Sequence, residues 1–122
     1  MVEGIKLANI TVDCADAKGL RDFYARFLGW EKTEMFGMPV LKDTGGMTLL
    51  FVGEEDYVPP VWPEQPGKQQ KQIHFDFVVK DIAAAVKEAE SLGAVKTKDQ
   101  FGGDNFTTML DPAGHPICIC GE

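Results

Sequence analysis

The chain has 122 residues, of which 44% are hydrophobic and 25% charged, a composition that excludes a disordered or fibrous protein and fits one ordinary domain. A net charge of -7 excludes a large phosphate-binding surface, so we expect no nucleic acid partner. The apolar runs are far shorter than the ~20 residues that a membrane span needs, and no secretion signal follows Met1. We therefore expect a cytoplasmic protein with no membrane partner.

The sequence contains an internal repeat. Residues 8–16 and 73–81 are both alternating segments that end on an aspartate, at an offset of 65 residues. The pair Leu28-Gly29 recurs as Leu92-Gly93 at an offset of 64, and the turn at 43–46 recurs at 111–114. These repeats predict two related βαβββ modules, residues 5–54 and 71–122, joined by a proline-rich linker over 55–70.

The first module begins with a predicted strand over residues 8–14. Asp16 then has the side chain of a helix N-cap, and Gly29 stands where a helix end needs a left-handed residue. Strands are predicted over 31–36, 39–42 and 47–52. The helix between the caps carries an apolar stripe at helical spacing, formed by Leu20, Phe23, Tyr24, Phe27 and Leu28.

The linker holds four of the seven prolines, so we expect an extended and fairly stiff segment. Its aromatic residues, Tyr57 and Trp62, are costly to leave in water and predict packing over a surface. A structural strap is the simpler interpretation, and a cap over a ligand is the alternative.

The second module repeats the order of the first. A strand over residues 73–79 leads to the N-cap Asp81, a helix that ends near Gly93, and strands over 94–98, 106–110 and 116–120. The helix repeats the apolar spacing with Ile82, Ala85, Val86 and Ala89.

Cysteine and histidine are scarce. The three cysteines form no CxxC pair, and Cys118 and Cys120 point to one face of a strand in poor geometry for a disulfide, so reduced thiols are expected. The only histidines are His74 and His115, and the latter sits in a Gly-His-Pro turn where a structural role is expected.

Polar residues mark the face of each first strand that points away from its helix. Asn9, Thr11 and Asp13 share that face in the first module, and His74 and Asp76 share it in the second. The simple interpretation is a wetted sheet face. The alternative is that two curved sheets face each other across a groove that these residues line.

The order of the motifs resembles the vicinal oxygen chelate (VOC) superfamily, the glyoxalase/bleomycin resistance protein/dioxygenase family, and within it the small glyoxalase-like domains. The motifs that carry the resemblance are Phe23-Tyr24, Leu28-Gly29-Trp30, Gln72-Ile73-His74-Phe75-Asp76, Leu92-Gly93-Ala94 and Asp111-Pro112-Ala113-Gly114-His115-Pro116. The resemblance implies an α+β fold, in which two βαβββ modules form a curved mixed sheet around a groove, and it implies a homodimer.

In metal-binding members of that superfamily, the first and last strands of each module supply the ligands. Those positions fall here on Asn9, Leu50, His74 and Cys118. Leucine cannot bind a metal, and the set lacks the carboxylates and second histidine that such a site uses. We therefore predict no metal site and no cofactor, with a divalent metal as the alternative.

These observations favour a metal-independent binder of a small organic molecule, an antibiotic or a metabolite. The groove residues are predicted to be Asn9, Asp13, Leu50, Trp62, His74, Asp76 and Cys118. The alternative is a glyoxalase-like lyase or isomerase, or a dioxygenase-related enzyme, that uses a divalent metal or His74 and Asp76 as a catalytic acid-base pair. A third possibility is an interaction module whose groove is filled by its own Trp62 and Phe36.

Overall fold

Each predicted module forms a four-stranded mixed sheet with one helix. The computed structural model describes residues 1–122 and divides the chain into two compact units, Met1–Tyr57 and Val58–Glu122. No helix of the chain has both the length and the apolar character needed to cross a membrane.

The first unit contains strand β1, helix α1 and strands β2, β3 and β4. Their order in the sheet is β1-β4-β3-β2, with β1 parallel to β4 and the other pairs antiparallel. Strand β4 therefore lies inside the sheet, and β1 lies at its edge. The bounds are β1 Ile10–Cys14, α1 Ala17–Leu28, β2 Glu31–Met35, β3 Met38–Lys42 and β4 Thr48–Gly53.

The second unit repeats this topology. Its sheet has the order β5-β8-β7-β6, with β5 parallel to β8 and the other pairs antiparallel. The bounds are β5 Phe75–Val79, α2 Ile82–Ser91, β6 Val95–Lys96, β7 Phe106–Leu110 and β8 Pro116–Gly121. The two identical strand orders confirm the α+β fold of two βαβββ modules.

The predicted caps define the helix ends. The Asp16 carboxylate accepts a hydrogen bond from the Gly19 amide, and the Asp81 carboxylate accepts one from the Ala84 amide, each at 3.0 Å. Gly29 ends α1 in the left-handed conformation, with φ 73°. In α2 the cap is Leu92, and the chain turns at the following residue, Gly93, with φ 113°.

Each unit has its own buried apolar core between helix and sheet. In the first unit, α1 packs on β3 and β4, and in the second, α2 packs on β8. Fully or nearly buried side chains of the first core are Cys14, Leu20, Phe23, Tyr24, Leu41, Leu49 and Phe51, and those of the second are Val86, Ala89, Ala94, Met109, Ile117 and Ile119. Val40 and Leu50 are also buried, but they are register partners on the side of the first sheet that points away from α1.

Several strands begin or end at residues other than those predicted from the sequence. Strands β1 and β5 begin two residues later than predicted, so Ala8 and Ile73 lie outside the strands and are exposed. Strand β2 stops at Met35 because Phe36 and Gly37 both have positive φ, 53° and 76°, as a tight two-residue hairpin requires. Phe36 is 89% exposed, so it does not fill an internal space as the third possibility required.

The segment between β4 and β5 contains no helix or strand. Within it, the Val61 amide donates a hydrogen bond to the Gln69 carbonyl, at 2.9 Å, and Lys71 forms an ion pair with Glu64. The loop from Val61 to Gln69 is therefore closed by its own backbone.

Candidate functional site

Three predicted site residues of the second unit come together. A ring nitrogen of His74, a carboxylate oxygen of Asp76 and the sulfur of Cys118 all lie within 4.8 Å of one another. Asp76 and Cys118 are direct partners on the parallel strands β5 and β8. His74 directly precedes β5 and lies two residues before Asp76, so it shares the same side. We call these three residues the His-Asp-Cys cluster.

The closest contact in the cluster joins His74 to Asp76. The Nε2 atom of His74 lies 3.2 Å from Oδ1 of Asp76, and the two side chains are 36% and 60% exposed. This is an ion-pair distance, and it brings a group that can donate next to a group that can accept. The pair is open to solvent and small solutes.

Cys118 is held by a neighbour on β7. Its Sγ lies 3.7 Å from the Thr108 hydroxyl, and the two residues are register partners on antiparallel strands. Thr108 is 2% exposed, and its backbone is clamped by Gln100, whose Oε1 accepts from the Thr108 amide and whose Nε2 donates to the Thr108 carbonyl, both at 2.8 Å. The polar partner of the thiol is therefore fixed in place.

The thiols on β8 are poor nucleophiles in this environment. Burial raises the pKa of Cys118, the hydrogen bond from Thr108 opposes that rise, and the nearby Asp76 charge adds to it. Burial and the Asp76 charge also raise the pKa of Cys120. None of the three cysteines forms a disulfide, as predicted, and the raised pKa values keep those on β8 protonated at neutral pH.

The first unit places its predicted site residues differently. The Asn9 amide donates to the Thr11 hydroxyl at 3.0 Å, directly before and within β1. Asp13 is an exposed residue of β1, whereas Leu50 on β4 is only 8% exposed. None of these side chains belongs to the His-Asp-Cys cluster.

Trp62 packs within the second unit. Its ring meets Phe101 edge to face, with centroids 6.1 Å apart, and Lys71 Nζ lies 4.4 Å from the ring centre. The Trp62 indole Nε1 is buried without a hydrogen-bond partner. The aromatic contact supports the predicted packing of this segment.

His115 lies in the turn before β8, as predicted. Its amide and that of Ala113 both donate to Oδ1 of Asp111, at 3.0 and 2.9 Å, and its carbonyl accepts from the Asp111 amide. Asp111 is buried, so its carboxylate organises the turn that leads to Cys118.

The architecture is the glyoxalase/bleomycin resistance fold. The sheet order and the two helices match the crystal structure of a glyoxalase/bleomycin resistance protein/dioxygenase family enzyme from Burkholderia phytofirmans PsJN, with a TM-score of 0.70 and 19% identity. That match covers 96% of this chain and 98% of the other. The family model described as glyoxalase-like domain matches residues 9–120, so the chain belongs to the glyoxalase-like domain family of the VOC superfamily.

Other solved structures share the fold. A possible glyoxalase from Bacillus cereus matches with a TM-score of 0.68 and 15% identity, over 96% of this chain and 99% of that one. The fosfomycin resistance protein FosX from Listeria monocytogenes matches with a TM-score of 0.66 and 12% identity, over 98% and 91%. No curated protein matches the sequence. At these identities the likeness establishes the fold alone, and the activity has to be argued from the residues of the candidate site.

Sequence reasoning missed parts of the site. It paired Asp76 with His74, but it did not place the carboxylate beside Cys118, because the β5–β8 register depends on pairing between distant segments. It also passed over Thr108 and Gln100. The signal for Thr108 is its position in the predicted strand before Cys118, where an antiparallel pairing would bring the two side chains together.

Proposed function

We propose that this protein binds a small organic molecule, an antibiotic or a metabolite, through the polar side of its second sheet, and that binding requires no metal ion. The observation that carries the proposal is the His-Asp-Cys cluster, whose imidazole, carboxylate and thiol lie within 4.8 Å of one another. Clusters of this kind on a sheet face are suited to orienting a ligand by a few polar contacts.

The cluster offers complementary contacts to one ligand. Asp76 accepts hydrogen bonds, His74 can donate or accept, and Cys118 is a weak donor of partly apolar character. Val78, the next residue on the same side of β5, is exposed and adds apolar surface beside them. The Asp76 carboxylate and the net charge of -7 favour a cationic or polar ligand.

The proposed independence of metal rests on the four positions that carry ligands in metal-binding members. Leu50 offers no donor atom and is buried, and Asn9 offers only a neutral amide, whose nitrogen donates to Thr11. The first unit therefore supplies at most one weak neutral ligand to the octahedral N/O site of those members.

Ligand capture from a metabolite extract tests this function. Protein stripped with a chelator is dialysed against a small-molecule extract, with metal-free bleomycin as a cationic probe and fosfomycin as an anionic one, and bound compounds are measured by mass spectrometry. We expect a compound retained in the presence of chelator and lost in Asp76→Asn and His74→Ala, but kept in Asp104→Asn, an exposed aspartate elsewhere. Retention of nothing above background, or equal retention by all variants, would show the proposal to be wrong.

A second candidate function is catalysis by His74 and Asp76 as an acid-base pair. The 3.2 Å contact between His74 Nε2 and the Asp76 carboxylate favours it, because a carboxylate that accepts the Nε2 proton would leave Nδ1 to act as the base. Glyoxalase-type isomerisation begins with removal of a proton next to a carbonyl. The matching assay follows exchange of that proton in deuterated water by NMR, with chelator present. Catalysed exchange that is lost in His74→Gln and Asp76→Asn supports an enzyme, and exchange at the buffer rate supports the binder.

The proposed binder is a cytoplasmic homodimer, as the composition and the family resemblance lead us to expect. Analytical ultracentrifugation measures the assembly directly. A sedimentation coefficient that stays at the value of a 13.4 kDa monomer up to high protein concentration would contradict the dimer.

A further inference from the structure

We propose that His74, Asp76 and Cys118 form a zinc site with three protein ligands inside the second unit, and with the fourth coordination position open. His74 and Cys118 stand at two of the four positions that carry ligands in metal-binding members, but Asp76 does not. The proposed site differs from the octahedral N/O site of those members, because all its ligands come from one unit and one of them is a sulfur. It goes beyond the proposed function, since zinc binding is measured without an organic ligand and ligand binding is measured without zinc.

The donor atoms select the type of metal. The cluster offers one imidazole nitrogen, one carboxylate oxygen and one thiol sulfur. Zinc binds all three donor types and commonly has four ligands in a tetrahedral arrangement, of which the protein supplies three when one position stays open. Calcium and magnesium prefer oxygen ligands alone, so a sulfur in the set disfavours them.

The distances in the cluster are close to those of a tetrahedral site. Zinc bonds of ~2.0 to 2.3 Å place neighbouring ligand atoms about 3.3 to 3.8 Å apart. His74 Nε2 and Asp76 Oδ1 already lie 3.2 Å apart, and no pair in the cluster exceeds 4.8 Å. Closing the longest gap takes about 1 Å, which rotation of side chains as exposed as His74 and Asp76 can supply without moving the sheet.

The sulfur ligand has a fixed supporting partner. Binding to zinc removes the proton of Cys118 to the buffer, after which the Thr108 hydroxyl can only donate to the thiolate. That hydroxyl lies 3.7 Å from Sγ, and the Gln100 clamp holds the Thr108 backbone. Such outer contacts orient metal ligands and commonly change metal affinity 10- to 100-fold.

The remaining cysteine and histidine of this unit provide matched controls. Cys120 lies two residues beyond Cys118 on the same strand but does not belong to the cluster. His115 lies in the turn before β8 and is also outside it. In this unit, therefore, one cysteine and one histidine belong to the proposed site, and one of each lies outside it.

Metal titration of the reduced, chelator-stripped chain tests the inference. We expect one equivalent of Zn²⁺ by competition with a chromophoric chelator. Affinity should fall at least about tenfold in His74→Ala, Asp76→Asn and Cys118→Ser, a loss of the size expected for disturbing a metal shell. Affinity should stay at the wild-type value in Cys120→Ser and His115→Ala. Circular dichroism of each stripped variant checks that the chain remains folded.

Cobalt reports the geometry independently of affinity. Co²⁺ in place of zinc should give the intense visible absorption of a tetrahedral ion and a near-ultraviolet thiolate-to-cobalt band, and the latter should vanish in Cys118→Ser. The inference is overturned by no stoichiometric uptake, by a pale octahedral spectrum, or by zinc affinity that survives all three cluster substitutions. It is also overturned if Asp76→Asn binds zinc like wild type, because the carboxylate is then not a ligand.

Discussion

The Thr108 hydroxyl and the Cys118 sulfur lie 3.7 Å apart, on the two antiparallel strands that form the middle of the second sheet. Both residues point to the side of the sheet that carries Asp76, so a single hydroxyl and a single carboxylate act on the thiol with opposite signs. The two effects on the pKa of Cys118 can therefore be measured separately, by removing either the hydroxyl or the carboxylate.

Removing the hydroxyl should make Cys118 less reactive. Thr108→Val keeps the shape of the side chain and deletes the contact that lowers the thiol pKa, so the pKa rises and less thiolate is present at pH 8. We expect alkylation of Cys118 by iodoacetamide to slow about fivefold, the equivalent of a hydrogen bond of about 1 kcal/mol. Thr107→Val, on the opposite side of β7, is the control, and an equal slowing there would argue against the Thr108 contact as the cause.

Removing the carboxylate charge should have the opposite effect on both thiols of β8. Burial raises the pKa of Cys118 and of Cys120, and the Asp76 charge raises each further. In Asp76→Asn both pKa values fall toward the ordinary cysteine value, and alkylation begins at lower pH. Peptide mass spectrometry after timed alkylation, in chelator, reads each cysteine separately. Unchanged rates, or an equal change in Asp104→Asn, would exclude the Asp76 charge as the origin.

The helix caps should each contribute a comparable amount to stability. Asp16→Ala and Asp81→Ala remove the carboxylates that accept the Gly19 and Ala84 amides, and each change should lower the free energy of unfolding by about 1 kcal/mol. Urea denaturation measures this loss. Lys87→Ala, an exposed change in the middle of α2, should leave the free energy within about 0.5 kcal/mol of wild type. A loss at Lys87 as large as at the caps would contradict the capping role.

The turn before β8 should depend on Asp111 more than its counterpart in the first unit depends on Asp43. Asp111→Ala leaves the Ala113 and His115 amides without the buried carboxylate that accepts them, at a cost of about 1 to 3 kcal/mol. The Asp43 carboxylate accepts from the exposed Thr44 hydroxyl at 3.5 Å, so Asp43→Ala should cost less. Chemical denaturation of the two variants compares them, and an equal loss would show that burial of Asp111 is unimportant.

The fold was predictable because the local signals repeat. An aspartate N-cap, an apolar helical stripe and a glycine after the helix occur in both modules, and the structure uses Asp16, Asp81 and Gly29 as those signals require. The short strands were less predictable. Strand β6 has only two residues, and beyond the Thr97 amide, which still donates to the Thr108 carbonyl, the side chain of Gln100 binds the Thr108 backbone. No local sequence pattern predicts that a side chain will make the hydrogen bonds that a neighbouring strand would otherwise make.

For the candidate site, the sequence predicted which residues of β5 share one side, but not how they are arranged with Cys118. Alternation along β5 places His74 and Asp76 on one side, which is a local property. The meeting of Asp76 with Cys118 depends on a parallel register between segments far apart in the chain, and a shift of one residue would turn Cys118 toward the helix. The buried Leu50 illustrates the same limit, because its burial depends on how β1 and β3 pair on either side of it.

The insertion of β8 between β5 and β7 also bears on how the molecule is made. In its sheet, β5 pairs only with β8, so it has no strand partner during synthesis until α2, β6 and β7 have been made and β8 follows. Closing so long a loop is slower than forming the local hairpin of β7 and β8. We therefore expect the parallel ladder that joins Asp76 to Cys118 to form late, after the last strand of the second sheet has been made.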